Sequence, residues 1–91
     1  MSHKHNPPKH IFAYRLKEAR QRAGLSQKQL GIAAGIDEFV ASTRINRYEQ
    51  GVHEPDIKTA SSLAKALNVP LAYLFAEDNR LAVTILKFNH D

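Results

Sequence analysis

Apolar residues recur along this chain at helical rather than alternating spacing. From His10 to Ala23 the residues are strong helix formers, and Ile11, Phe12, Leu16, Ala19 and Ala23 fall near one face. Gly24 stops that helix in the usual C-terminal manner. Ser26-Gln27-Lys28-Gln29 reads as a capping box: the serine hydroxyl takes an orphan N–H and Gln29 reaches back. The box opens a second helix, Gln27 to Ala34, with Leu30, Ala33 and Ala34 apolar and Gly35 as its end. Gly31 inside it costs roughly 1 kcal/mol against alanine. Asp37 can cap a third helix reaching Tyr48 or Glu49, with Phe39, Val40, Ile45 and Tyr48 as its apolar positions and Gly51 as its stop. After a loop at Val52-His53-Glu54-Pro55, Asp56 caps a fourth helix from Ile57 to Leu67, where Ile57, Ala60, Leu63, Ala64 and Leu67 are spaced as one face. Asn68-Val69-Pro70 turns the chain into a short fifth helix, Leu71 to Ala76.

The two ends read differently. Pro7 and Pro8 hinder a helix, and no apolar period precedes them, so residues 1–10 are expected to be a flexible arm. Near the other end, Leu81, Ile85 and Phe88 fit a helical stripe with Asp78 or Asn79 as cap. Val83, Thr84 and Ile85 are β-branched and would also suit a strand. The stripe favours a helix. The expectation is an all-α, five- to six-helix bundle without internal repeats: an arm over 1–10, a folded unit over 11–76 and a C-terminal extension over 77–91.

Ninety-one residues make one domain, and 43% hydrophobic content is too high for a disordered chain. Cysteine is absent, which removes thiolate chemistry and disulfides and suits a reducing compartment. No apolar run approaches the roughly 18 residues of a membrane span. The start MSHKHNPPKH has no apolar signal-peptide core, so a soluble, cytoplasmic protein is expected. The net charge of +4 is unevenly spread. Residues 1–30 hold seven Lys/Arg against one acid, while residues 31–91 hold six against eight. Such asymmetry suits a polyanion on one side of the molecule, although a solvated basic helix would look the same.

Two short helices joined by a tight turn are the parts of a helix-turn-helix. Individual residues extend the pattern: Arg15-Leu16-Lys17-Glu18-Ala19-Arg20, Gly24-Leu25-Ser26-Gln27, Leu30, Gly35-Ile36, Ile45, Tyr48-Glu49, Gly51 and Pro55, then Leu63-Ala64, Leu67, Val69 and Leu74-Phe75. Over residues 11–76 the chain resembles the phage repressor/Cro-like, or Xre-type, family. The resemblance implies a lambda-repressor-like fold and a sequence-specific regulator of transcription that binds double-stranded DNA. Between Gly35-Ile36 and Tyr48-Glu49 this chain is about four residues longer than the family pattern, nearly one helical turn. Either the turn before the third helix is enlarged or that helix begins early, at Asp37. Asp-Glu-Phe-Val-Ala is helix-compatible and offers Phe39 and Val40 for burial, which favours the longer helix.

Counted back from Gly51, the family's base-reading positions fall on Ser42, Thr43 and Arg47, flanked by Arg44 and Asn46. Hydroxyls can bond to several base edges, arginine is the bidentate partner of guanine, and asparagine can pair with adenine. The resemblance places Gln27, at a helix N-terminus that favours anions, on a phosphate, with Lys28 adding charge and Gln50 and His53 as weaker candidates. It also implies that Arg20 and Glu49 form a partly buried ion pair between the first and third helices. His3, His5 and His10 could hold a transition metal, but a polar arm with no supporting shell makes an inert tail the default, so no metal or cofactor is assigned. No HExxH, GxSxG or Gly-rich phosphate loop is present, and the acid pairs Asp37-Glu38 and Glu77-Asp78 read as caps, so no enzyme is expected. The resemblance further implies a repressor that pairs as a homodimer on inverted half-sites. Leu71, Tyr73, Leu74, Phe75 and the Leu81–Phe88 segment are the candidate dimer surface. The alternative from another class is a protein-interaction module, such as an antitoxin that covers a toxin, with a protein partner in place of DNA. At this length a ligand-sensing second domain is not expected.

Overall fold

The computed structural model describes residues 10–88. Five α-helices follow in order: α1 (Ile11–Ala23), α2 (Gln27–Ala33), α3 (Ala41–Gln50), α4 (Ile57–Leu67) and α5 (Asn79–Phe88), with a 3-10 helix at Leu71–Phe75 between the last two. No strand occurs among the described residues, so the β-branched run Val83–Ile85 lies in a helix. Most of the proposed arm, including His3 and His5, falls outside the described residues.

Local chemistry accounts for the boundaries. Ser26 Oγ accepts the Gln29 amide at 3.0 Å, and Gln29 Oε1 accepts the Ser26 amide at 2.8 Å, so the capping box closes both ways. Asp56 caps α4 by accepting the Thr59 amide at 2.8 Å, and that bond holds its carboxyl below the usual carboxylate range. Asp78 caps α5 by accepting the Leu81 amide at 2.8 Å. Gly51 ends α3 at φ 74°, a left-handed position that glycine takes without steric cost.

The sequence expectation fails at the start of the third helix. Residues Asp37–Val40 form a turn, and the helix begins at Ala41. The Asp37 carboxylate accepts the amide of Phe39, two residues on, at 3.0 Å. The Val40 amide then closes the turn on the Asp37 carbonyl at 3.1 Å. Phe39 is 86% exposed and Val40 is also exposed, so the burial that favoured a longer helix does not occur. The fifth helix is a 3-10 segment ending at Phe75, and α2 ends one residue early, at Ala33. Ile57 is exposed at the open end of α4.

Leu16, Leu30, Ile45, Leu63, Tyr73 and Leu74 fill the centre. α2 packs most closely against α3, α1 backs α3 and the 3-10 helix, and α5 lies on the 3-10 helix. One buried charge fastens this last layer. Arg15 is 3% exposed, donates from Nε to the Ala76 carbonyl at 2.9 Å and from Nη1 to Asn79 Oδ1 at 3.2 Å, and sits 5.8 Å from the Tyr73 ring centre. Its counter-charge is Glu18, at 3.7 Å. Arg15→Ala should cost about 2 kcal/mol, the scale of a charged hydrogen bond. Amide exchange over residues 80–88 should then speed up while α4 stays protected. Unchanged protection there would mean that the apolar contacts of Ala82 and its neighbours hold α5 alone.

Candidate nucleic-acid interface

The buried residues of α3 are Ala41, Ile45 and Tyr48, spaced three and four apart. The opposite face carries Ser42, Thr43, Asn46, Arg47 and Gln50, all exposed. Arg44 lies at the edge between the two faces. Its Nη2 donates to the Tyr48 hydroxyl at 2.6 Å, and its guanidinium sits 5.7 Å from the Tyr48 ring centre.

This polar face is held from behind. Arg20, from α1, donates from Nε to Glu49 Oε2 at 2.6 Å and from Nη2 to Oε1 at 3.1 Å. Its Nη1 donates to the Leu25 carbonyl at 2.9 Å. The Glu49 side chain is 2% exposed and that of Arg20 13%, so the pair is nearly dry. Gln27 joins it: its Nε2 donates to Glu49 Oε1 at 3.0 Å and to Asn46 Oδ1 at 3.2 Å. α1, α2 and α3 therefore meet at one carboxylate, which locks the rotation of α3. The network occupies both hydrogens of the Gln27 amide, leaving only its carbonyl to face outward. Asn46 accepts from Gln27 and keeps its own amide hydrogens free to donate. Lys28 and His53 are exposed on the two flanks of α3, in α2 and in the loop after Gly51.

A family model described as helix-turn-helix matches residues 16–74, a span that begins in α1 and ends in the 3-10 helix. The chain belongs to the Xre/Cro-type helix-turn-helix family. Members are transcription regulators and not enzymes. The chain is 36% identical over 64 residues to the HTH-type transcriptional regulator ImmR of Bacillus subtilis (strain 168), a match covering 70% of this chain and 47% of ImmR. It thus spans about half the length of that relative. It is also similar to the crystal structure of the transcriptional regulator BswR, with a TM-score of 0.81 and 51% identity, over 87% of this chain and 78% of that one.

Within this family member, two residues carry roles that sequence reasoning left unassigned. Arg15 stands three residues after Phe12 and four before Ala19, on the inward stripe of α1. A charge in that register signals a buried, partnered side chain. By propensity alone Gly31 is a weak point of α2. In the fold it is the point where α2 and α3 touch. No helix among the described residues is long and apolar enough to cross a membrane.

Proposed function

We propose that α3 is the recognition helix of a cytoplasmic, sequence-specific repressor that binds double-stranded DNA. The observation that carries this reading is the exposed polar face of α3, fixed in rotation by the Arg20–Glu49–Gln27 network behind it. A groove reader needs donors held in place before DNA arrives, because freezing them on binding would cost affinity. Arg47 suits a guanine edge, Asn46 an adenine edge through its free amide hydrogens, and Ser42 and Thr43 either strand. Arg44, tied to Tyr48 by one nitrogen, is better placed for a phosphate than for a base. Lys28, the backbone amides at the start of α2, Gln50 and His53 supply the remaining phosphate contacts.

A single reading helix covers a short site, and two-fold pairing on inverted repeats doubles it. α5 supports pairing: Leu81, Val83 and Phe88 are exposed along it, whereas Tyr73 and Leu74, also candidates for the dimer surface, are consumed by the core. Sedimentation at several concentrations, with and without an inverted-repeat duplex, tests the dimer. A promoter fusion distinguishes repression from activation.

Selection of binding sites from random duplexes is the direct test. Arg47→Ala should weaken specific binding by about 1–3 kcal/mol and relax preference at one base pair. An unchanged selected sequence would remove Arg47 from the reading set. Affinity should fall steeply with salt. A flat salt response would favour the protein-interaction reading.

A further inference from the structure

The turn Asp37–Val40, absent from the shorter family pattern, presents an aromatic ring to solvent directly before α3. Its backbone is pinned: the Phe39 amide donates to Asp37 Oδ2 at 3.0 Å, the Val40 amide to the Asp37 carbonyl at 3.1 Å, and the Arg44 amide to the Val40 carbonyl at 2.9 Å, the first bond of the helix. Phe39 is three residues from Ser42, so their Cα atoms lie within about 11 Å. The major groove is about 12 Å wide. A chain that sets Ser42 on base edges therefore keeps Phe39 within reach of the same groove.

What the turn offers there is unusual. Asp37 and Glu38 are its only charged side chains, so attraction to phosphate does not bring it to DNA. The reading face of α3 is polar, with the methyl of Thr43 as its one apolar group. On the base edges of the major groove the apolar group is the 5-methyl of thymine. Resting on the DNA-binding reading above, we propose that Phe39 is a specificity-determining residue that packs its ring against a thymine methyl beside the bases read by Ser42 and Thr43. The extra residues of this chain thereby add a base preference that the shorter pattern lacks.

The test begins with a site selected by the wild-type protein. If no specific site emerges, the DNA-binding reading itself fails, separately from the role of Phe39. With a site in hand, each thymine is replaced in turn by deoxyuracil, which removes only the methyl group. At one position the wild-type protein should lose roughly three- to fivefold in affinity, the worth of one buried methyl. Phe39→Ala should bind the thymine site more weakly by at least that factor and should be indifferent to deoxyuracil at that position. Its thermal midpoint should match wild type, because the ring makes little contact with the fold. The proposal is overturned if Phe39→Ala keeps full affinity and the same thymine preference. It is also overturned if the deoxyuracil loss persists in the mutant. A mutant that loses self-association, with its thymine preference intact, would assign the ring to a protein contact and overturn the proposal too.

Discussion

Arg20→Ala is expected to lower stability by about 3–5 kcal/mol, the cost of stranding one charge of a buried pair. The Glu49 carboxylate, 2% exposed in the intact pair, would lose its guanidinium and keep the Gln27 amide as its surviving side-chain donor. Glu49→Ala should cost less, because the Arg20 guanidinium keeps the Leu25 carbonyl and is partly solvated. For a chain this short, the Arg20→Ala loss corresponds to a fall in the thermal midpoint on the order of 20 °C. Replacing both residues by apolar ones of similar size, as in Arg20→Met with Glu49→Leu, should recover much of the stability, since no charge is then stranded. Urea unfolding of the three variants measures this. A loss below about 1 kcal/mol for Arg20→Ala would class the pair with ordinary surface ion pairs. The double variant separates stability from function. It should fold, yet bind DNA more weakly, because Gln27, which holds Asn46, loses the carboxylate that orients it.

Gly31→Leu is expected to cost about 3 kcal/mol or more, at the upper end of core overpacking. A Cβ at Gly31 would lie 2.6 Å from Ala41 Cβ, 3.0 Å from Ala41 Cα and 3.1 Å from its carbonyl oxygen. Two of those atoms are backbone and cannot rotate away, so α3 must shift as a unit. Gly31→Ala makes the sign a sharp question. Helix propensity favours alanine by about 1 kcal/mol, while the contact with Ala41 opposes it. The contact should win, and Gly31→Ala should melt below wild type. Adding Ala41→Gly removes the 2.6 Å contact and should restore part of the loss. A Gly31→Ala protein that melts above wild type would show that the α2–α3 spacing is elastic. Because Ala41 is the first residue of α3, the proposed recognition helix, the displacement should also reduce DNA affinity beyond what the loss of folded protein explains.

The helix-turn-helix class and most element boundaries were legible in the residues because they depend on short-range chemistry. Ser26 and Gln29 form a capping box wherever they start a helix. Asp56 caps its own Thr59, and Gly24 and Gly51 take left-handed backbone at any helix end. The apolar periods of α1 and α4 then dictate which faces pack. The stretch before α3 is ambiguous for a related reason. Asp37 can serve as a helix cap or close a turn on Phe39, and both are local solutions. Nothing within a few residues decides between them.

By itself, the sequence determined an all-helical member of the Xre/Cro-type family, the order of its helices and the polar set at the end of the third one. Three things were left to the tertiary structure. The spacing of α2 and α3 is set at Gly31, which lies against Ala41 at the start of α3, a contact between residues ten positions apart. The direction of that helix is set by Arg20 and Glu49, 29 positions apart, with Gln27 as the third member. The seat of α5 is set by Arg15, which reaches 61 positions along the chain to Ala76. Each is an agreement between distant residues about where a charge or a backbone can be buried, and local propensity carries no information about such agreements.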